Sequence, residues 1–125
     1  MQSILLVALG GMVGSIFRHL MAMGMRSWLG PTSFPWPIFS INVLGSATLG
    51  FITVNVRDRH SIWWFLLATG VCGGFTTFSA FSLEVFELIE QKRLAMAITY
   101  ALASLHCGVL GFAVGAYLGL LNRGN

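Results

Sequence analysis

Apolar residues fill four long stretches of the chain that contain no charged side chain except Arg18 and, near the end of the third, Glu84. A bilayer-spanning helix needs about 20 apolar residues, and each stretch can supply one. A charge in the bilayer core costs about 2.5–3.5 kcal/mol, so charged residues mark the ends of the spans. We place the spans at residues 4–24, 38–56, 62–86 and 94–121. The pattern predicts an all-α membrane protein with one four-helix transmembrane domain over residues 1–125.

Short polar or proline-rich segments separate these spans. Residues 30–37 cannot be helical throughout, because proline lacks an amide donor and disfavours helical geometry at the residue before it. Residues 57–60 form a charged turn, and residues 87–93 carry four charges as a water-facing helix end. Indole rings settle at the membrane interface, which fits the positions of Trp28, Trp36, Trp63 and Trp64.

Composition excludes a water-soluble fold. Of the 125 residues, 56% are hydrophobic and 9% are charged, against about 25% charged in an ordinary soluble domain. The seven Lys and Arg residues are scattered and form no basic stripe, which excludes a nucleic-acid partner. We expect no cleavable signal peptide, because Met1-Gln2-Ser3 carries no positive side chain.

The positive charges do not indicate which end of the helix bundle faces the cytoplasm. Outside the first span, one side of the membrane receives Arg57, Arg59 and Arg123, and the other receives Arg26, Lys92 and Arg93. The positive-inside rule therefore gives no preference. Either the count is noise in a short chain, or the protein inserts in both orientations and pairs as an antiparallel dimer.

Small residues recur four positions apart in three spans. Such spacing lets helix backbones approach closely in lipid, so we interpret these residues as packing positions. Four thin helices also enclose little space, and a pore therefore requires more than one subunit. The residues are Gly10 and Gly14, Ser46 and Gly50, and Gly111, Gly115 and Gly119.

The third span carries the strongest local feature, within residues 70–84. Its first thirteen residues include three glycines, two threonines and two serines, which oppose a regular helix. We predict a break in the helix near its middle. Backbone groups freed at that depth must be buried in protein, face a watery cavity or bind an ion. The alternative is a kinked helix whose own hydroxyls satisfy the backbone.

Phe75, Phe78 and Phe81 recur every three residues after this break. An aromatic stripe is ordinarily packing. Here hydroxyl residues interleave with the rings, which favours a path with one apolar wall and one hydrogen-bonding wall. Aromatic edges carry partial positive charge, so such a path suits a small anion. The interleaved hydroxyls are those of Thr77, Ser79 and Ser82.

Five polar residues in the spans are further candidates. Asn42 is either a link between helices or a donor to an anion, because an unpaired amide in lipid is costly. Arg18 either snorkels to the interface or sets a positive potential in a vestibule. Tyr100 and Ser104 lie one turn apart and could continue a hydroxyl track, whereas Glu84 could be only a solvated helix end.

The sequence gives no indication of metal ligation by His and Cys side chains, of disulfide bonds or of catalysis. His19, His60 and His106 share no metal-ligand spacing with Cys72 and Cys107, and two cysteines in separate spans imply no disulfide framework. The sequence contains no acid–base pair, nucleophile triad or phosphate loop, so we expect no enzyme.

Three segments together resemble the Fluc (CrcB) fluoride channels over nearly the whole chain. The most specific is the third-span motif, and the others are a glycine segment with Arg18 and an asparagine segment. They read Gly73-Gly74-Phe75-Thr76-Thr77-Phe78-Ser79-x-Phe81-Ser82-x-Glu84, Gly10-Gly11-x-x-Gly14, and Asn42-Val43-x-Gly45-x-x-x-x-Gly50.

The resemblance implies an antiparallel, dual-topology homodimer in the lipid of a bacterial plasma membrane, with passive export of fluoride from the cytoplasm. It places the pore at Asn42, Phe78 and Phe81, with Glu84 beyond the phenylalanines, and the hydroxyl track at Tyr100 and Ser104. It further implies a structural sodium ion at the dimer centre, held by backbone carbonyls of Gly73 and Thr76 from each subunit. Oxygen ligands suit such a hard cation.

Two positions depart from the family pattern. The family usually has Gly-Thr-Leu where this chain has Pro37-Ile38-Phe39, so a polar contact of the second span is lost or moved to Ser40. The next track serine falls on Gly108. Both departures put the continuity of the polar track in question.

Two other classes of protein are alternatives. Small multidrug exporters have a similar length, four spans and dual topology, but they depend on an acid in the first span. This chain has none there. A packing subunit of a larger membrane complex would leave the interleaved phenylalanines and hydroxyls unexplained.

Overall fold

The computed structural model describes residues 1–124, and its regular elements there are all helical. Four spans are long and apolar enough to cross a membrane, which confirms the predicted all-α, four-span class. Three are continuous or nearly so: α1 (Gln2–Leu29), α2 (Trp36–Asn55) and α5 (Leu94–Arg123). The third span consists of a π-helix (Trp64–Cys72), the short α3 (Gly73–Phe75) and α4 (Phe78–Glu90).

A glycine and a proline in the α1–α2 connection help to set where α1 ends and where α2 begins. Gly30 ends α1 with a φ of 65°, a left-handed conformation that costs glycine little. Pro37 lies in the first turn of α2, where a missing amide proton breaks no helical bond. As a result, α1 ends at Leu29 and α2 begins at Trp36, both outside the predicted spans, whereas α2 ends at Asn55, one residue inside its predicted span.

Glycines bring the helices into close contact in two pairs. In the first pair, α1 packs on the π-helix, and a Cβ on Gly10 would lie 2.9 Å from the Cα of Gly70. In the second, α2 packs on α5, where a Cβ on Gly115 would collide with the Ala47 carbonyl. The four-residue spacing of small residues marks these contacts, as expected for helices in lipid.

An aromatic cluster joins the α1–α2 loop to α4 and α5. Tyr100 is fully buried, and its ring lies 5.4 Å from that of Phe34 and 5.2 Å from that of Phe81. The Arg93 guanidinium donates to the Ser33 carbonyl over 2.6 Å and ties the loop to the start of α5. This end of the bundle is thus held by side chains from three elements.

Large apolar side chains cover the outer faces of α1 and α5. Leu5 is 62% exposed and Leu120 is 54% exposed, for example. Such a surface would be unfavourable in water but suits hydrocarbon. This exposed apolar surface agrees with the membrane-spanning class that the composition predicts.

Candidate functional site

The third span is interrupted at Thr76 and Thr77, as its glycines and hydroxyl residues predict. Thr76 has ψ 157° and Thr77 has φ −153° and ψ 119°, both extended. The Asn42 side chain bonds both backbone groups of Thr77: its Oδ1 accepts from the amide over 2.8 Å, and its Nδ2 donates to the carbonyl over 3.1 Å. One side chain of α2 thus satisfies both backbone hydrogen-bonding groups of Thr77 at the break in the third span.

Thr77 also begins the next helix. Its hydroxyl oxygen accepts the Ala80 amide over 3.1 Å, a typical helix N-cap. The Thr76 hydroxyl donates to the Cys72 carbonyl over 2.9 Å. The break is therefore an ordered feature with hydrogen bonds on both sides, and the partly positive amino end of α4 lies next to it.

A groove of about 530 Å³ runs beside the break, between α2, the third span and α5. No charged side chain is among the residues that line it. The structure brings together here seven residues that were predicted for the pore or the sodium site: Asn42, Gly73, Thr76, Thr77, Phe78, Phe81 and Ser104.

The two phenylalanines have different surroundings. Their ring centroids lie 5.5 Å apart. Phe78 is 79% exposed, whereas Phe81 is half-buried and packs against Ile38, Ile41 and Tyr100. Phe78 is therefore a free edge of the groove, and Phe81 is part of its wall.

Tyr100 and Glu84 lie outside the groove but next to it. The Tyr100 hydroxyl donates to Glu84 Oε2 over 2.7 Å. Glu84 also lines a second cavity of about 290 Å³ together with Arg26 and Arg93. Glu84 is thus more than a solvated helix end, because its carboxylate joins α4 to α5 beside a charged cavity.

Besides that of Tyr100, two of the predicted hydroxyls do not line the groove. The Ser82 hydroxyl donates to the Phe78 carbonyl over 2.9 Å, and the Ser79 hydroxyl lies 3.2 Å from that of Thr77. Both residues are exposed on α4. Their hydroxyls serve the backbone and the cap instead of forming a wall of the groove.

Arg18 reaches the break from α1. Its Nη1 donates to the Thr76 carbonyl over a long 3.4 Å. This contact was not predicted from the sequence, and the interpretation that Arg18 sets a positive potential in a vestibule stays a prediction. The guanidinium places positive charge within the bundle, next to the extended residues.

Carbonyl oxygens at the break lack the partners that a continuous helix would give them. The Thr77 amide, which would bond Gly73, turns to Asn42, and the Ala80 amide, which would bond Thr76, turns to the Thr77 hydroxyl. Within residues 1–124, no group of three or more His, Cys, Asp or Glu side chains could hold a metal. A cation here would have to be bound by such neutral oxygens.

Polar residues that were not predicted as site residues also line the two cavities. Ser46 and Thr69 line the groove, and Arg26 and Arg93 line the second cavity. Ser46 follows Asn42 by one turn of α2, so its position on the same face could have been predicted from the spacing. Thr69 lies in the π-helix, which has a different number of residues per turn, so the face that Thr69 occupies could not be predicted from α-helical spacing.

The two departures from the family pattern have clear positions. Ile38 is 5% exposed and packs with Ala22 and Ile41, and Ser40 lines neither large cavity. Gly108 lines the groove one turn beyond Ser104. Ile38 therefore makes an apolar contact in the core, and Gly108 leaves a gap in the row of hydroxyls that Tyr100 and Ser104 begin on α5.

Comparison with known proteins agrees with this architecture. Residues 5–116 match the family model described as CrcB-like protein, Camphor Resistance (CrcB). A fluoride-specific ion channel FluC of Erythrobacter litoralis is 38% identical, with 90% of this chain and 88% of the relative covered. The FluC of Leptospira interrogans is 41% identical, with 90% and 89% covered, and that of Nitrobacter winogradskyi is 44% identical, with 81% and 82% covered.

These relatives are named ion channels and not enzymes. The match spans all four membrane helices and includes the broken third span. The chain is therefore a multi-pass membrane protein that belongs to the CrcB-like family of FluC fluoride channels.

Proposed function

We propose that this chain forms a channel for passive export of fluoride from the cytoplasm across a bacterial plasma membrane. The observation that carries the proposal is the groove, which places aromatic edges and neutral hydrogen-bond donors around one space. The fluoride specificity that the relatives' names record agrees with this chemistry.

Neutral donors are the groups that this task requires. Fluoride is small and strongly hydrated, so a pore must replace its water with several hydrogen bonds. Asn42 has two amide donors and uses one on the Thr77 carbonyl, which leaves the other for an ion. The Ser104 hydroxyl oxygen is buried without a hydrogen-bond partner in residues 1–124. The positive edges of Phe78 and Phe81 complete the set.

The proposed assembly is an antiparallel homodimer in lipid. The groove is open on one side of the single chain, and Phe78 at its edge is largely exposed. A second copy would cover the groove and complete the pore. The equal numbers of Lys and Arg at the two ends of the bundle support opposite orientations of the two copies.

A structural sodium ion at the dimer centre fits the carbonyl oxygens at the break. Gly73 and Thr76 would hold it, two carbonyls from each copy, because both have lost their helical amide partners. The Arg18 contact at Thr76 uses one of the two acceptor sites of that oxygen. The ion would join the two copies.

The proposal is tested by fluoride efflux from liposomes that contain the purified protein, with no proton gradient. We expect rapid efflux that needs no coupled ion, and we expect a less stable dimer when sodium is replaced by a large organic cation. Efflux equal to that of empty liposomes, with an intact dimer, would contradict the channel. Equal dimer stability in both salts would contradict only the sodium site.

The same experiment separates this function from proton-coupled drug export. No Asp or Glu lies within α1, and the described acids lie at residues 58, 84, 87 and 90. A proton gradient should therefore leave fluoride efflux unchanged. Efflux that stops without the gradient would favour the exporter.

A further inference from the structure

Hydroxyls in the membrane helices fall into two groups. The hydroxyls of Thr48, Thr53 and Thr99 donate to the carbonyl four residues earlier, over 2.9, 2.7 and 2.8 Å. Each has therefore used its one proton within its own helix. Ser46, Thr69 and Ser104 make no such bond in the part of the chain that the structure describes, and all three line the groove.

Ser46 lies opposite the gap in the row of hydroxyls on α5. Tyr100, Ser104 and Gly108 follow one another at intervals of one turn, about 6 Å along the axis. A Cβ built on Gly108 would lie 3.9 Å from the Ser46 hydroxyl oxygen. The Ser46 hydroxyl thus occupies the neighbourhood in which a serine at position 108 would place its own.

The packing of α2 on α5 fixes this juxtaposition. Further along the same interface, a Cβ on Gly111 would lie 3.0 Å from the Val43 carbonyl oxygen. Backbones this close leave little freedom to rotate either helix. The position of Ser46 beside Gly108 is therefore a rigid feature of the interface.

We propose that Ser46 donates a hydrogen bond to the permeating fluoride at the depth of Gly108, where α5 lacks a hydroxyl. This inference rests on the proposed channel function. The row of donors then runs from Ser104 on α5 to Ser46 on α2. Asn42, one turn from Ser46 on the same face, adds its free amide proton nearby.

Spacing alone gives Ser46 a different role. Its position four residues before Gly50 is typical of a small packing residue, and in that role alanine would replace it without loss. The two interpretations therefore make opposite predictions for Ser46→Ala, which removes only one oxygen atom.

The test is fluoride efflux from liposomes for four proteins: wild type, Ser46→Ala, Thr48→Ala and the double variant Ser46→Ala/Gly108→Ser. We expect Ser46→Ala to lower efflux about tenfold or more, as for a lost hydrogen bond to an ion. Thr48 lies on the same helix but bonds its own backbone, so Thr48→Ala should conduct normally. The double variant should recover most of the efflux, because the 3.9 Å distance leaves room for the new side chain.

A Ser46→Cys variant keeps the size of the side chain but weakens the donor, and it should also conduct poorly. Normal efflux in Ser46→Ala and Ser46→Cys, beside an active wild type, would overturn the inference and leave the channel function standing. A loss in Ser46→Ala that Gly108→Ser does not repair would overturn it too. An inactive wild type would instead overturn the proposed function itself.

Discussion

Phe78 and Phe81 belong to the same motif, but the loss of each ring should have a different effect on the stability of the protein. Phe78 is 79% exposed in the single chain, whereas Phe81 packs into two clusters of buried residues. Loss of buried aromatic contacts reduces the free energy of unfolding, but loss of an exposed ring does not. The contribution of each ring to conduction can therefore be separated from its contribution to stability.

Replacing Phe78 with isoleucine should abolish fluoride efflux and lower the melting temperature less than Phe81→Ile does, because Phe78 is largely exposed within its own chain. The aliphatic side chain keeps an apolar surface but has no positive edge for a dehydrated anion. Phe81→Ile should abolish efflux and also lower the melting temperature, because the ring leaves a cavity. Efflux and thermal unfolding measured on the same samples distinguish the two effects.

Phe86→Ile is the matched control. Phe86 lies on α4, is 56% exposed and does not line the groove, so this variant should conduct like the wild type. Undiminished efflux in both the Phe78 and Phe81 variants would remove these rings from the pathway.

At the scale of the element, the third span is the unusual part of the molecule. It passes from a π-helix through a single α-helical turn to two extended residues and then to α4. In lipid, each unpaired backbone group would cost several kcal/mol. Asn42 removes this cost for both groups of Thr77, so a residue of α2 maintains the shape of the third span.

Asn42→Leu should therefore destabilise the protein as well as block efflux. Two backbone groups of Thr77 lose their partner, and each unsatisfied group costs about 1–3 kcal/mol. We expect a clear drop in melting temperature in detergent. Asn55→Leu is the control, because that amide bonds only the Phe51 carbonyl of its own helix end. A stable Asn42→Leu protein that has lost efflux would assign Asn42 to the ion and not to the backbone.

At the scale of the whole molecule, the two ends of the helix bundle carry equal numbers of Lys and Arg residues. Arg57, Arg59 and Arg123 lie at one end of the bundle, and Arg26, Lys92 and Arg93 lie at the other. Three of these side chains also have local contacts: Arg59 stacks on Trp64 at 4.6 Å, Arg93 bonds Ser33 and Arg123 bonds Val54. Arg57 and Lys92 are exposed and take no part in these contacts, so they can be replaced with little structural effect.

Removing positive charge from one end should force a single orientation and stop efflux. We expect Arg57→Gln to bias the chain one way, Lys92→Gln to bias it the other way, and each alone to conduct poorly in cells. Co-expression of the two oppositely biased chains should restore efflux, whereas Arg57→Lys should behave like the wild type. Full efflux from a chain labelled on one side only by an impermeant reagent would contradict the antiparallel dimer.

The sequence by itself determined the four spans, the break in the third and the membrane as solvent. These features follow from costs that act locally along the chain: charge in hydrocarbon, glycine and hydroxyl residues in a helix, and proline at a turn. The family motif likewise marked Asn42, Phe78 and Phe81, which the groove brings together.

Only the tertiary structure decided which hydroxyls face the groove. Ser79 and Ser82 look equivalent to Ser104 in the sequence, yet they bond neighbouring groups on α4. Ser46 looks like a packing residue, yet its oxygen lies beside Gly108 of another helix. The reason is that the direction of a side chain depends on helix rotation and on the π-helical register, which are set by contacts between helices and not by the period of any one of them.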